Sequence, residues 1–151
     1  MIADSAKRVS EQTDPCVNEQ IRRQTEKNLA YFQNHHEEIG ERLGQLDREW
    51  DIERMLQTGS TAMTLAGLTL GIARNRKWLL LSLAVQGFMM QHALQGWCPP
   101  LPVLRRLGFR TQYEIEQERY GLKALRGDYR HVEGDKVERR SSEQVMHALT
   151  H

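Results

Sequence analysis

The chain has little cysteine, few prolines and, through two long stretches, no charge. Cys16 and Cys98 are its only cysteines. They are far apart and form no C-x-x-C pattern, which argues against a disulfide scaffold, a thioredoxin-type motif and a cysteine-rich zinc site. The opening residues, Met1-Ile2-Ala3-Asp4-Ser5-Ala6-Lys7-Arg8, hold no apolar core, so no cleavable signal peptide is expected there. Net charge is +1, too small to bias the chain toward nucleic acid, and no nucleic-acid partner is expected. No nucleotide-binding glycine loop, nucleophile triad, paired-carboxylate site or metal constellation is recognisable. The expectation is a protein without cofactor or metal and without enzymatic activity. His35-His36-Glu37-Glu38 places His35 and Glu38 three residues apart, but no second ligand pair accompanies them, and they read as a solvated helix face.

The most informative absence is internal. Although 27% of the chain is charged, residues 55–73 and 78–96 contain no Asp, Glu, Lys or Arg. As a helix each run is about 28 Å long, close to the ~30 Å hydrocarbon thickness of a bilayer. The basic loop Arg74-Asn75-Arg76-Lys77 separates them. The sequence predicts an all-α chain: a transmembrane helical hairpin over residues 55–96, with amphipathic helical arms on both sides. So short a loop puts both termini on one side. The wider basic flanks, with Arg42, Arg48 and Arg54 before the hairpin and Arg105, Arg106 and Arg110 after it, favour cytoplasmic termini. A helical bundle with residues 55–96 as its core hairpin is the reading without a membrane.

On a helical wheel the first run separates into two stripes. Gln57, Ser60, Thr64, Gly67 and Gly71 form the more polar one, and Gly59, Ala62, Ala66, Thr69 and Ala73 lie roughly opposite. Gly67-x-x-x-Gly71 is a close-packing motif of membrane helices. In the second run Ser82, Gln86, Met89, Ala93 and Gly96 share a face. Amides in an apolar setting require partners. Ser82 and Gln86 are therefore expected to bond to the polar stripe within one chain, which leaves the Gly59/Ala62/Ala66/Ala73 stripe for a second copy and predicts a homo-oligomer. His92 is the only ionisable group in either run. Two readings fit it, a structural hydrogen bond and a proton-relay role, and the first is preferred.

Residues 1–54 read as a polar N-terminal helical arm. Residues 1–13 are expected to be disordered. Asp14-Pro15 supplies an N-cap and a first helical position, and Asn34-His35-His36 marks a break. Ile39, Leu43, Leu46 and Trp50 then form a clean apolar stripe. Trp50 suits either a water–lipid interface or a core. Trp97-Cys98-Pro99-Pro100-Leu101-Pro102 ends the second run, and residues 97–129 read as a juxtamembrane segment and amphipathic helix. Within it, residues 103–110 are basic and apolar, fit to lie on an anionic membrane surface. Thr111-Gln112-Tyr113-Glu114 is a capping box that opens a helix closed by Gly127. Residues 130–151 read as a polar tail.

Asp51-Ile52-Glu53-Arg54, the Gly/Ala-rich first run, the short loop, the ending Gly96-Trp97-Cys98-Pro99 and then Leu107-Gly108 together resemble the YgaP-like transmembrane domain over about residues 50–108. That two-helix module occurs alone or joined to rhodanese-type sulfurtransferases in bacterial inner membranes. The resemblance implies a multi-pass protein of the bacterial inner membrane, with membrane lipid and another membrane or sulfur-transfer protein as partners. The family's Cys-Pro after the second span matches Cys98-Pro99. Pro100, Pro102 and the lack of a rhodanese domain are departures. With Arg105 and Arg106 near in sequence, Cys98 reads either as an activated thiol, able to accept a persulfide or form a disulfide, or as a packed inert side chain. The sequence places no base beside it. The expected function is a small non-enzymatic, self-associating accessory or scaffold subunit. The alternative is a thiol-dependent sulfur-transfer or redox partner that uses Cys98.

Overall fold

The computed structural model describes residues 7–129, and among them every regular element is helical. The α-helices are α1 (Arg8–Glu11), α2 (Pro15–Phe32), α3 (Ile39–Leu46), α4 (Ile52–Ala73), α5 (Leu79–Gln95), α6 (Leu101–Arg106) and α7 (Gln112–Arg126), with 3₁₀ turns at His36–Glu38 and Arg76–Trp78. The tail expected at 130–151 lies outside the described residues.

The helix boundaries follow from local chemistry. Asp14 accepts from the backbone N of Cys16 and opens α2. Asp51 accepts from the backbone N of Arg54 at 2.6 Å and opens α4, satisfying an N–H that has no partner inside the helix. The capping box at α7 forms in both directions: Thr111 N donates to Glu114 Oε2 at 2.8 Å, and Glu114 N to Thr111 Oγ1 at 3.2 Å. Gly127 follows α7 in the left-handed region, and Asn75 caps the turn between α4 and α5 through Lys77 N.

The chain divides into two compact units, one of Met1–Arg23 with Trp50–Ile115, the other of Gln24–Glu49 with Glu116–His151. In the first, α4 and α5 form an antiparallel hairpin. Gly67 and Gly71 are buried where the helices meet. A Cβ on Gly67 would lie 2.4 Å from Ser82 Oγ and 3.1 Å from Trp78 O, so only glycine allows this approach. Ser82 Oγ donates to Thr64 O at 3.0 Å and Gln86 Nε2 to Thr64 Oγ1 at 2.8 Å. Gly59, Ala62 and Ala66 are exposed. At the open end of the hairpin, Val9, Ile52, Leu56, Cys98 and Leu101 form a buried cluster flanked by Met89, Trp97, Leu104 and Phe109. In the second unit Phe32, Ile39, Leu43, Leu46 and Leu122 are buried. Glu118, 0% exposed, accepts from Asn28 Nδ2 at 3.0 Å and Arg42 Nε at 2.9 Å, as a buried carboxylate must.

The structure corrects three expectations. No helix among the described residues is long and apolar enough to cross a membrane. This overturns the reading of residues 55–96 as a transmembrane hairpin and of the protein as multi-pass in the bacterial inner membrane. The physical reason is visible in both runs. Helix α5 has 17 residues, about 26 Å, because Arg76–Trp78 goes into a 3₁₀ turn and Gly96 leaves the helix. Helix α4 is longer but carries Glu53 and Arg54 in its first turn and is diluted by Gln57, Thr58, Ser60, Thr61, Thr64 and Thr69. Second, residues 8–11 are helical rather than disordered, because Val9 docks into the core and Arg8 pairs with Glu53 at 2.8 Å. Third, Arg105 is not a surface residue. It is 1% exposed, and its N–H donors reach Thr13, Asn18, Phe109 O and both oxygens of Glu114.

Candidate functional site

The site is built where the start of α4 meets the end of α5. Gly96 ends α5 with φ +78, and a Cβ there would lie 2.4 Å from Arg8 O. Glycine alone permits both the left-handed turn and the approach of the Arg8 backbone. The turn reverses the chain and carries Trp97 and Cys98 into the core, one turn before α6.

Three side chains converge. Cys98 is 2% and His92 1% exposed. His92 Nε2 meets Glu53 Oε2 at 3.0 Å, and the other oxygen of Glu53 accepts from Arg8 Nη2 at 2.8 Å. His92 Nδ1 is buried without a hydrogen-bond partner of normal geometry. The Cys98 sulfur, and next the Glu53 carboxylate, raise His92 from 6.5 to about 9, against burial, which opposes the charged ring. His92 is consequently an imidazolium at neutral pH. Glu53 responds in the other direction: its bond to His92 holds its carboxyl below the usual carboxylate range. A cation beside a sulfur stabilises negative charge developing there, and a carboxylate behind the imidazole fixes the orientation of the ring.

Cys98 also lines an apolar groove of about 700 Å³ between α4 and α5, within the ~300–1,000 Å³ usual for small-molecule sites. Gly59 and Met63 lie on one wall, Ala84 and Phe88 on the other. The groove and the His92–Glu53 pair thus adjoin at Cys98.

Of the residues singled out in the sequence, the structure brings Cys98 and His92 together and sets Gly67, Gly71, Ser82 and Gln86 at the α4–α5 contact. Gly59 belongs to the groove, while Ala62 and Ala66 are exposed outside it. Arg105 does not act on Cys98, since Glu114 and its other acceptors engage its guanidinium, and Arg106 is exposed. The expected cation is supplied by His92. Glu53 and Arg8 were missed. A usable signal existed for Glu53: it is the last carboxylate before the uncharged runs, and an antiparallel hairpin sets it beside the end of α5, where His92 is the only ionisable group. No such signal marks Arg8, which reaches the site through tertiary docking of α1. His35, on the other unit, is half-buried and stacked on Tyr31, with ring centroids 4.1 Å apart. No protein family, curated protein or solved structure matches the chain.

Proposed function

We infer that the protein performs thiol-dependent group transfer through Cys98, with His92 as its charge partner and Glu53 as the positioning residue behind it. The observation that carries this reading is the Cys98–His92–Glu53 arrangement at the wall of a groove. A cysteine kept only for packing has no need of a buried imidazolium beside it, since an ion in an apolar core is costly unless paired. The correspondence of Cys98-Pro99 with the Cys-Pro of the YgaP-like module belongs to the same proposal. The test is the alkylation rate of Cys98 by iodoacetamide in a Cys16→Ser background. His92→Gln is expected to slow it at least tenfold at pH 7, and Glu53→Gln to shift its pH profile. Equal rates with and without His92 overturn the reading.

A second reading, a self-associating scaffold subunit, is favoured by a separate observation. Leu65, Ile72, Leu80 and Leu83 are exposed on the hairpin, Ile72 by 85%. Apolar surface of this extent marks an interaction site, and a second copy meeting the Gly59/Ala62/Ala66 stripe would cover part of it. Ala62→Leu with Ala66→Leu should shift crosslinked oligomer toward monomer. A monomeric wild type removes this reading.

A further inference from the structure

We propose that the groove beside Cys98 receives the hydrocarbon chain of an acyl thioester, and that the acyl group is transferred to the Cys98 sulfur. The inference rests on the reading of Cys98 as a transfer thiol and names its cargo.

The groove runs along the hairpin from Met55 to Met63 on α4 and from Met89 back to Leu81 on α5, about 12 Å of helix on each side. Cys98 sits at the Met55/Met89 end, in the same buried cluster as Leu56, against which Met89 packs. A chain attached at the sulfur therefore has a linear apolar slot in which to lie. The lining offers nothing to a polar cargo. Ser60 supplies its one hydroxyl, and that hydroxyl already donates to Gln57 O at 3.1 Å. Its methionines, Met55, Met63 and Met89, adapt to a flexible chain. The charged groups, His92, Glu53 and Arg8, do not line the groove.

The step balances without an oxidant or a reductant. Cys98 reacts as its thiolate, beside the His92 imidazolium. The sulfur attacks the thioester carbonyl carbon and a new C–S bond forms. The bond from that carbon to the donor sulfur breaks, and the donor leaves as a free thiol with the proton from His92. The products are S-acyl Cys98 and one equivalent of donor thiol. Glu53 stays ionised throughout and keeps the ring in place.

The test uses the full chain with Cys16→Ser, treated separately with acetyl-, octanoyl- and palmitoyl-coenzyme A. Intact mass and release by neutral hydroxylamine are the readouts. The expected result is one hydroxylamine-labile acyl group per chain, absent in Cys98→Ser, with the octanoyl or palmitoyl adduct forming at least ten times faster than the acetyl adduct. Gly59→Phe fills the groove. A Cβ there meets nothing within 4 Å, so the helix accepts it, and the preference for long chains should fall to near one. Ala84→Phe repeats the test from the opposite wall. Equal rates for all three donors, or a preference that survives both variants, overturns the groove assignment. If Cys98 alkylates with iodoacetamide as expected but takes no acyl group, acyl cargo is excluded and the thiol reading stands. Failure of both reactions removes the two together.

Discussion

Replacing Glu53 by Gln tests the electrostatic core of the site most directly. His92 is held at about 9 against an ordinary 6.5. At about 1.4 kcal/mol per unit, the charged ring gains about 3 kcal/mol, shared between Cys98 and Glu53. Glu53 supplies the second-largest part of that gain, and with the partly exposed Arg8 pair, worth at most ~1 kcal/mol, Glu53→Gln should lose about 1–2 kcal/mol at pH 7. The pH dependence has a definite sign. A raised histidine contributes fully below 6.5, and its contribution is lost as pH rises through about 9. The lowered Glu53 contributes above 4.5 and is lost as pH falls through its depressed value. Wild type should therefore lose stability from pH 6.5 toward pH 9.5, and Glu53→Gln should show a shallower slope. Urea unfolding at pH 5.5, 7, 8 and 9.5, for wild type, Glu53→Gln and His92→Gln, measures both quantities. A Glu53→Gln variant that matches wild type at pH 7 and keeps its full alkaline slope would refute the reasoning. So would a wild type that gains stability over this interval.

Arg105→Met should cost about 3–5 kcal/mol, because it leaves the Glu114 carboxylate without its partner in a buried site. Arg105→Met with Glu114→Gln should recover part of that loss in the same urea assay, and a single variant within ~1 kcal/mol of wild type would show that the guanidinium is better hydrated than its burial implies. Gly67→Leu should lose about 1–3 kcal/mol through overpacking against Ser82 and Trp78, whereas Gly59→Ala, whose new methyl meets open space, should gain up to ~1 kcal/mol from helix propensity. Thermal unfolding distinguishes them, and equal effects would mean that the hairpin does not pack as described.

Much of the fold was legible because its signals are local. Asp14-Pro15, Asp51, the Thr111/Glu114 box and Gly127 act on backbone groups within a few residues of themselves, so their chemistry is the same in sequence and in structure. The uncharged runs identified a helical hairpin for the same reason. The helical period gathers Gly67, Gly71, Ser82 and Gln86 onto facing stripes whatever surrounds them. The error over the membrane had two sources: a count of uncharged residues includes those that a 3₁₀ turn and a left-handed glycine remove from α5, and it passes over the hydroxyls and amide that dilute α4.

The candidate site was legible only in pieces. Sequence by itself determined the helical class, the hairpin and its caps, since composition and periodicity act over one or two turns. Which cation faces Cys98 was decided by tertiary structure. Arg105 is near in sequence, but a buried guanidinium requires acceptors for its donors, and Glu114, Asn18 and Thr13 provide them. His92 and Glu53, 39 residues apart, come together because the antiparallel hairpin aligns the start of α4 with the end of α5, and the turn at Gly96 brings Cys98 back to meet them. Long-range pairing of this kind depends on where helices end and how closely they approach, which no local pattern encodes.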